Sequence, residues 1–209
     1  MKPTVLTLTL IAASAAFGQY KMETAAGVPS EVAPGFASLL QKDGVKVLSG
    51  NGSVWAEIWF RSAAPSGPKN TEEGVALATI PHGAFMGVLR FPGNGADRRG
   101  QPIKPGLYTL RYSLHPVNGD HLGVAPQRDF LVLVPAAEDK DPAATPNYED
   151  LMNLSRKASG TPHPAVLSIT SSSASGPATL AKEGDHDWVI NTKIGDLAVA
   201  LIVVGKAEG

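Results

Sequence analysis

The run VKVLSGNGSVWAEIWFR, residues 45–61, carries the clearest period-two pattern in the chain. Val54, Ala56, Ile58 and Phe60 fall on one side of a strand, and Trp55, Glu57, Trp59 and Arg61 on the other. The first set predicts a core face. At about 1.5–3 kcal/mol for each large side chain buried, it pins the register. Asn51-Gly52 ahead of the run is a tight-turn pair, because both residue types tolerate positive φ. Further on, Tyr108, Leu110, Tyr112 and Leu114 alternate with Thr109, Arg111, Ser113 and His115, which predicts a second half-buried strand. DFLVLVP (129–135) is apolar at nearly every position and reads as a strand covered on both faces. Residues 75–80, 84–91 and 164–169 supply further strands. Residues 188–194 and 197–204 predict a closing hairpin that turns at Gly195-Asp196.

Helical signals are few. GFASLLQK (35–42) predicts a short helix ended by Asp43-Gly44. The best helix spans 146–159, with Thr145 as N-cap, Pro146 at the first position, Glu149 and Asp150 in the first turn, Arg156 and Lys157 in the last, and Gly160 just beyond. Residues 19–34 show no period and are expected to form a loose lead-in. No repeat and no long linker divides residues 35–209. The expected fold is mainly β: a single antiparallel β-sandwich with one or two short helices, an open barrel being the alternative.

Composition agrees, with 22 Gly and 17 Pro favouring turns and short strands. Residues 1–18 read as a secretory signal peptide: Lys2, then an apolar core over 5–13, then Ala16-Phe17-Gly18 as a small-residue cleavage site. That core is too short to span a membrane, which takes about 20 apolar residues, and no other stretch reaches that length, so no transmembrane segment is expected. Export to the periplasm or exterior follows, with Gln19 as the mature N-terminus. There is no Cys. Disulfides, a lipoprotein anchor, iron–sulfur and blue-copper centres and thiol nucleophiles are therefore excluded, and export without disulfides leans toward a bacterial source. The formal charge of −1 leaves no basic surplus for phosphates, so nucleic acid is not an expected partner.

The stretch YSLHPVNGDHLGVAPQRDFL, 112–131, concentrates the candidate chemistry. His115 and His121 lie about 20 Å apart if the chain is extended, at about 3.3 Å per residue. Pro116 and Asn118-Gly119 allow it to fold back. Asp120 or Asp129 would then complete a two-His, one-carboxylate set for a divalent transition metal such as zinc, iron or copper. The competing reading is a polar connection: Asp120 capping its own turn, His115 ending a strand beside Arg111, and Arg128 and Asp129 paired across the sheet. The metal set is thus His115, His121 and Asp120, and the wider ligand set adds Arg111, Arg128 and Asp129. Trp55 and Trp59 share one strand face with Glu57 and Arg61, where side chains two apart lie about 7 Å from each other; the face suits stacking on sugar rings if exposed, and the tryptophans are core if covered. Asp185-His186-Asp187 reads as a solvated hairpin entrance. The serines lack a nucleophile-elbow setting, and Gly93-Asn94-Gly95 opens no helix.

Residues 100–112, GQPIKPGLYTLRY, with IPHGAFMGVLRF before and DFLVLVPA after, resemble a hairpin of secreted bacterial β-sandwich domains. The pattern over 75–135 is similar to a group of uncharacterised exported proteins of environmental bacteria. Pro105, Gly106 and Tyr108 match the Gly-aromatic strand of that domain type. The resemblance implies a sandwich and export, and it carries no catalytic residue across.

Three expectations stand together. The first is an exported non-catalytic binding or accessory protein for a small ligand, glycan or protein, with no cofactor. The second is a metal-binding protein or metal-dependent enzyme using His115, His121 and a carboxylate. The third is a structural cell-envelope component.

Overall fold

The computed structural model describes residues 19–117 and 126–207. In chain order the elements are β1 (Lys21–Ala25), α1 (Pro34–Ala37), β2 (Gly44–Leu48), β3 (Val54–Phe60) and β4 (Phe85–Phe91). The short strands β5 (Gly95–Ala96) and β6 (Pro102–Ile103) follow, then β7 (Gly106–Leu114), β8 (Asp129–Pro135) and α2 (Tyr148–Ser159). The chain closes with β9 (Val166–Ser171), β10 (Thr179–Glu183), β11 (Asp187–Ile194) and β12 (Leu197–Val204). Apart from the β5–β6 ribbon, the strands form one antiparallel order, β1-β2-β3-β4-β7-β8-β9-β12-β11-β10.

The strand β9 turns this sheet over on itself. Its first half, Val166 to Ser168, pairs with β8, and its second half, Ile169 to Ser171, pairs with β12. A strand that changes partners midway makes a corner, and the two leaves then pack face to face as a sandwich. The inner faces interlock through Ala56, Ile58 and Phe60 of β3, Leu110 and Tyr112 of β7, Leu131 and Leu133 of β8, Ile190 of β11 and Leu201 of β12. Outer layers cover two further strips. α2 lays Leu151 and Met152 on Phe130, Val132 and Val134 of β8, so β8 is buried on both faces as its apolar run predicts. The α1 segment sets Phe36 and Leu40 against Trp59, Phe85 and Val88.

Four expectations change. Residues 19–34 are not a loose lead-in, for Lys21–Ala25 forms an edge strand on β2 and Tyr20 and Met22 pack against the core. A period of two was present there, hidden by its polar outer members. Residues 75–80 form turns, because the Asp129 carboxylate captures the Ala76 and Leu77 N–H groups that a strand ladder would use. The long helix begins at Tyr148 with Asn147 as its N-cap, whose side chain accepts from the Asp150 N–H at 2.9 Å. Its end is as expected, at Gly160 with φ 70°. The first helix is a single turn, Pro34–Ala37. No helix among the described residues is long and apolar enough to cross a membrane.

Two β-bulges join the leaves. In the β2–β3 ladder Val47 faces Ala56 but Leu48 faces Val54, so Trp55 is an extra residue. In the β11–β12 ladder Trp188 faces Val204 and Val189 faces Ile202, so Val203 is extra. Bulged residues leave the alternation and free their backbone groups. Here the two meet: Trp55 Nε1–H donates to the Val203 carbonyl at 3.0 Å.

Close approach also fixes Gly87. A Cβ there would lie 2.5 Å from the Trp59 carbonyl oxygen and 3.1 Å from Phe60 Cα, both backbone atoms of the neighbouring strand. Gly87→Ala should lower stability by about 1–3 kcal/mol, read as a fall in denaturant midpoint with unchanged slope. Gly93→Ala, whose Cβ meets nothing within 4 Å, should stay within about 0.5 kcal/mol of the parent.

Candidate functional site

The polar residues that the sequence singles out are buried scaffolding in most cases. Arg111 points outward from β7 beneath the 136–146 segment and is 1% exposed. Its five guanidinium N–H groups are all engaged. Nε and Nη2 hold the two Asp139 oxygens at 2.6 and 2.7 Å, Nη1 donates to the carbonyls of Gly83 and Ala144 at 2.7 Å, and Nη2 also donates to Asp141 O at 2.6 Å. Thr109 Oγ1 donates to the same carboxylate. A guanidinium with no donor left over has nothing to offer a ligand; it welds the sheet to the layer above it.

Asp129 does the same work at the sheet end. It is fully buried and accepts from Ala76 N–H (2.9 Å), Leu77 N–H (2.8 Å) and the Tyr112 hydroxyl (2.6 Å). Arg128 ties the same loop down, donating to the carbonyls of His115 (3.1 Å) and Glu73 (2.8 Å) and pairing with Glu72 at 2.8 Å. His115 is 8% exposed, and its ring stacks on Phe130 with centroids 4.1 Å apart. Asp120 and His121 lie outside the described residues. Among the described residues no group of three or more His, Asp or Glu is placed to hold a metal. The metal set therefore has one described member, stacked against an aromatic ring.

The tryptophans do not share a face. Trp59, 2% exposed, is core beneath α1. The bulge rotates Trp55 inward, where its ring meets Phe91 edge-on at 5.8 Å and Tyr20 at 6.1 Å, and Tyr20 in turn meets Trp188 at 5.6 Å. All three of Tyr20, Trp55 and Trp188 are half-buried. Asp185 and His186 are exposed, as expected, while Asp187 is held by Arg98 Nε at 3.0 Å.

What the sequence does not single out is the mouth of the sandwich. The sheet ends at β1 on one leaf and β10 on the other. These edges approach one another without backbone pairing. Beside them lies a groove of about 480 Å³, within the range of about 300–1,000 Å³ usual for small-molecule sites. Thr24, Gly44 and Val45 wall one side, Gly176, Pro177 and Ala178 the other, with Phe60 and Thr192 also lining it. One end is bridged by Gln41, whose Nε2 donates to Arg61 O (3.3 Å) and Lys193 O (2.9 Å). Asp43 and Lys193 also line it. A second groove, of about 450 Å³ near Pro135 and Lys140, contains Asp139, already committed to Arg111.

No protein-family model, curated protein or solved structure matches the chain.

Two predictions test this assignment of the polar residues. Arg111→Met strands the Asp139 carboxylate and should cost about 3–5 kcal/mol, whereas the double change Arg111→Met with Asp139→Leu should recover much of it. Urea unfolding of the three proteins measures both effects, and a small loss in the single variant would show that Arg111 is no brace. The second concerns tyrosines. Burial raises all four phenols above 10.0, and for Tyr112 the adjacent Asp129 carboxylate adds to burial. The unfolded chain ionises near pH 10, while in the folded chain Tyr112, 1% exposed and hydrogen-bonded to Asp129, holds its proton. The stability they contribute is thus present below about pH 10 and lost as pH rises beyond it. The urea midpoint should fall between about pH 10 and 12, with part of the phenolate absorbance appearing only together with unfolding.

Proposed function

We propose that this chain is an exported, non-catalytic binding or accessory protein that takes a small ligand at the sandwich mouth. The observation that carries the reading is the groove between the two unpaired edge strands. It is lined by Val45, Phe60, Pro177 and Ala178 together with the hydroxyl-bearing Thr24, Ser62 and Thr192 and the amide side chain of Gln41. Sites for small molecules have this mixture of apolar lining and a few placed polar groups. The candidates for bond-making chemistry along 112–131 are committed to structure where they are described, which supports binding over turnover. Export rests on residues 1–18, and mass analysis of secreted protein should find Gln19 at the mature N-terminus.

Gly176 provides the test. Gly176 lines the groove and a Cβ there meets nothing within 4 Å, so Gly176→Phe adds a ring at the groove rim without a clash at its Cβ. A fragment library screened by amide chemical shifts should move resonances of Thr24, Gly44, Ala178 and Thr192. At a ligand concentration about 100 times Kd the stabilisation is about 2.7 kcal/mol, a rise in Tm of about 5–10 °C for a domain this size. Gly176→Phe should retain the parent Tm and lose both responses. Shifts confined to other surfaces, or none, would sink the reading.

A further inference from the structure

We infer that the turn between β2 and β3 is a site of self-modification, at which Asn51 loses its side-chain amide to attack by the Gly52 backbone nitrogen. The inference is independent of the mouth groove. Asn51, Gly52 and Ser53 are all exposed. Gly52 has φ 82°, and a Cβ there would meet nothing within 4 Å, so no neighbouring group crowds its backbone. The Asn51 side chain is already oriented. Its Oδ1 accepts from the Ser53 N–H at 3.0 Å and from the Ser53 hydroxyl at 2.7 Å, with the Ser49 hydroxyl at 2.6 Å. A backbone N–H can only donate, which identifies the facing atom as the oxygen and leaves Nδ2 as the leaving group. The Gly52 nitrogen bonds to Asn51 Cγ, negative charge gathers on Oδ1, and the Cγ–Nδ2 bond breaks. Nδ2 departs as ammonia with the proton from Gly52, and water opens the resulting cyclic imide to aspartate or isoaspartate. Donors already aimed at Oδ1 stabilise the charge as it develops. The step has to release the hydrogen bond from Gly52 N–H to the Ser49 carbonyl at 2.8 Å, a single contact at an exposed hairpin end, where local opening costs least.

Asn94-Gly95 is the internal comparison. Gly95 is buried and paired with Ile103, and a Cβ there would lie 2.8 Å from the Phe91 ring. Ladder and ring hold that backbone in place, so the same two residue types cannot reach the attacking geometry. A third such pair, Asn118-Gly119, lies outside the described residues, and every other asparagine precedes a residue with a side chain.

Peptide mapping by mass spectrometry tests the inference on the mature chain held at mildly alkaline pH, folded in one arm and in concentrated urea in the other. In the folded arm the Asn51 peptide should gain the mass of amide-to-acid exchange roughly fivefold faster than the Asn94 peptide, and should split into aspartate and isoaspartate forms. In urea the two rates should converge, because both pairs are then open. Ser53→Ala removes a donor to Oδ1 and should slow Asn51 severalfold in the folded arm, while Ser53→Thr keeps the hydroxyl and the rate. Circular dichroism checks that each variant retains the sandwich. Asn51 left intact in the folded chain, or converted no faster than Asn94, overturns the inference. An unchanged or raised rate in Ser53→Ala overturns the part given to the donors at Oδ1.

Discussion

The change of partners inside β9 governs the architecture. Six residues serve both leaves, three bonded to β8 and three to β12, and the sheet has to bend there because one straight strand cannot lie in two planes. Bending brings the inner faces together and creates the main core. It also leaves two ends of one sheet, β1 and β10, facing each other where no ladder closes them. The leaves are instead joined there by side chains: Trp55 to the Val203 carbonyl, Tyr20 against Trp188, and Gln41 to the Lys193 carbonyl. A barrel closed by backbone would have no gap between β1 and β10. This one has a groove because its closure relies on a few directed contacts.

The buried polar residues have the opposite character. Burying a charge is tolerable only when its hydrogen-bonding capacity is filled. Arg111 meets that condition with a carboxylate and three carbonyls from segments 83, 139–141 and 144. Asp129 meets it with two amides and a phenol. Each therefore specifies where a loop lies, a task apolar contacts perform poorly because they are not directional. Residues of this kind cluster in sequence for the same reason that catalytic ones do: neighbouring strands bring them to one end of a sheet.

Strand periodicity made the sandwich legible, since Ala56, Ile58 and Phe60, like Leu110 and Tyr112, sit inward where alternation puts them. The double cover of β8 was equally plain in its unbroken apolar run. Register faults were not legible. Nothing in VWAEIWF shows that Trp55 is one residue too many for its partner strand, and a bulge belongs to the pair rather than to either sequence. That single extra residue parted Trp55 from Trp59, so the two share no stacking face. Residues 75–80 misled in the same way, for an apolar run becomes a strand only if no side chain claims its amides, and Asp129 does so from 52 and 53 positions away. The mouth groove was hidden for a third reason. Thr24, Asp43 and Thr192 are ordinary residues far apart in sequence, without a motif, and only the bend at β9 brings them together.

Edge chemistry narrows what the mouth can accept. β1 carries Lys21 and Glu23, and β10 carries Lys182 and Glu183, all exposed. Charges on an edge strand oppose the approach of another sheet, because they would be pressed against its side chains and lose water. The same charges lie outside the groove itself, whose wall at Thr24, Gly44 and Ala178 is lined by small residues.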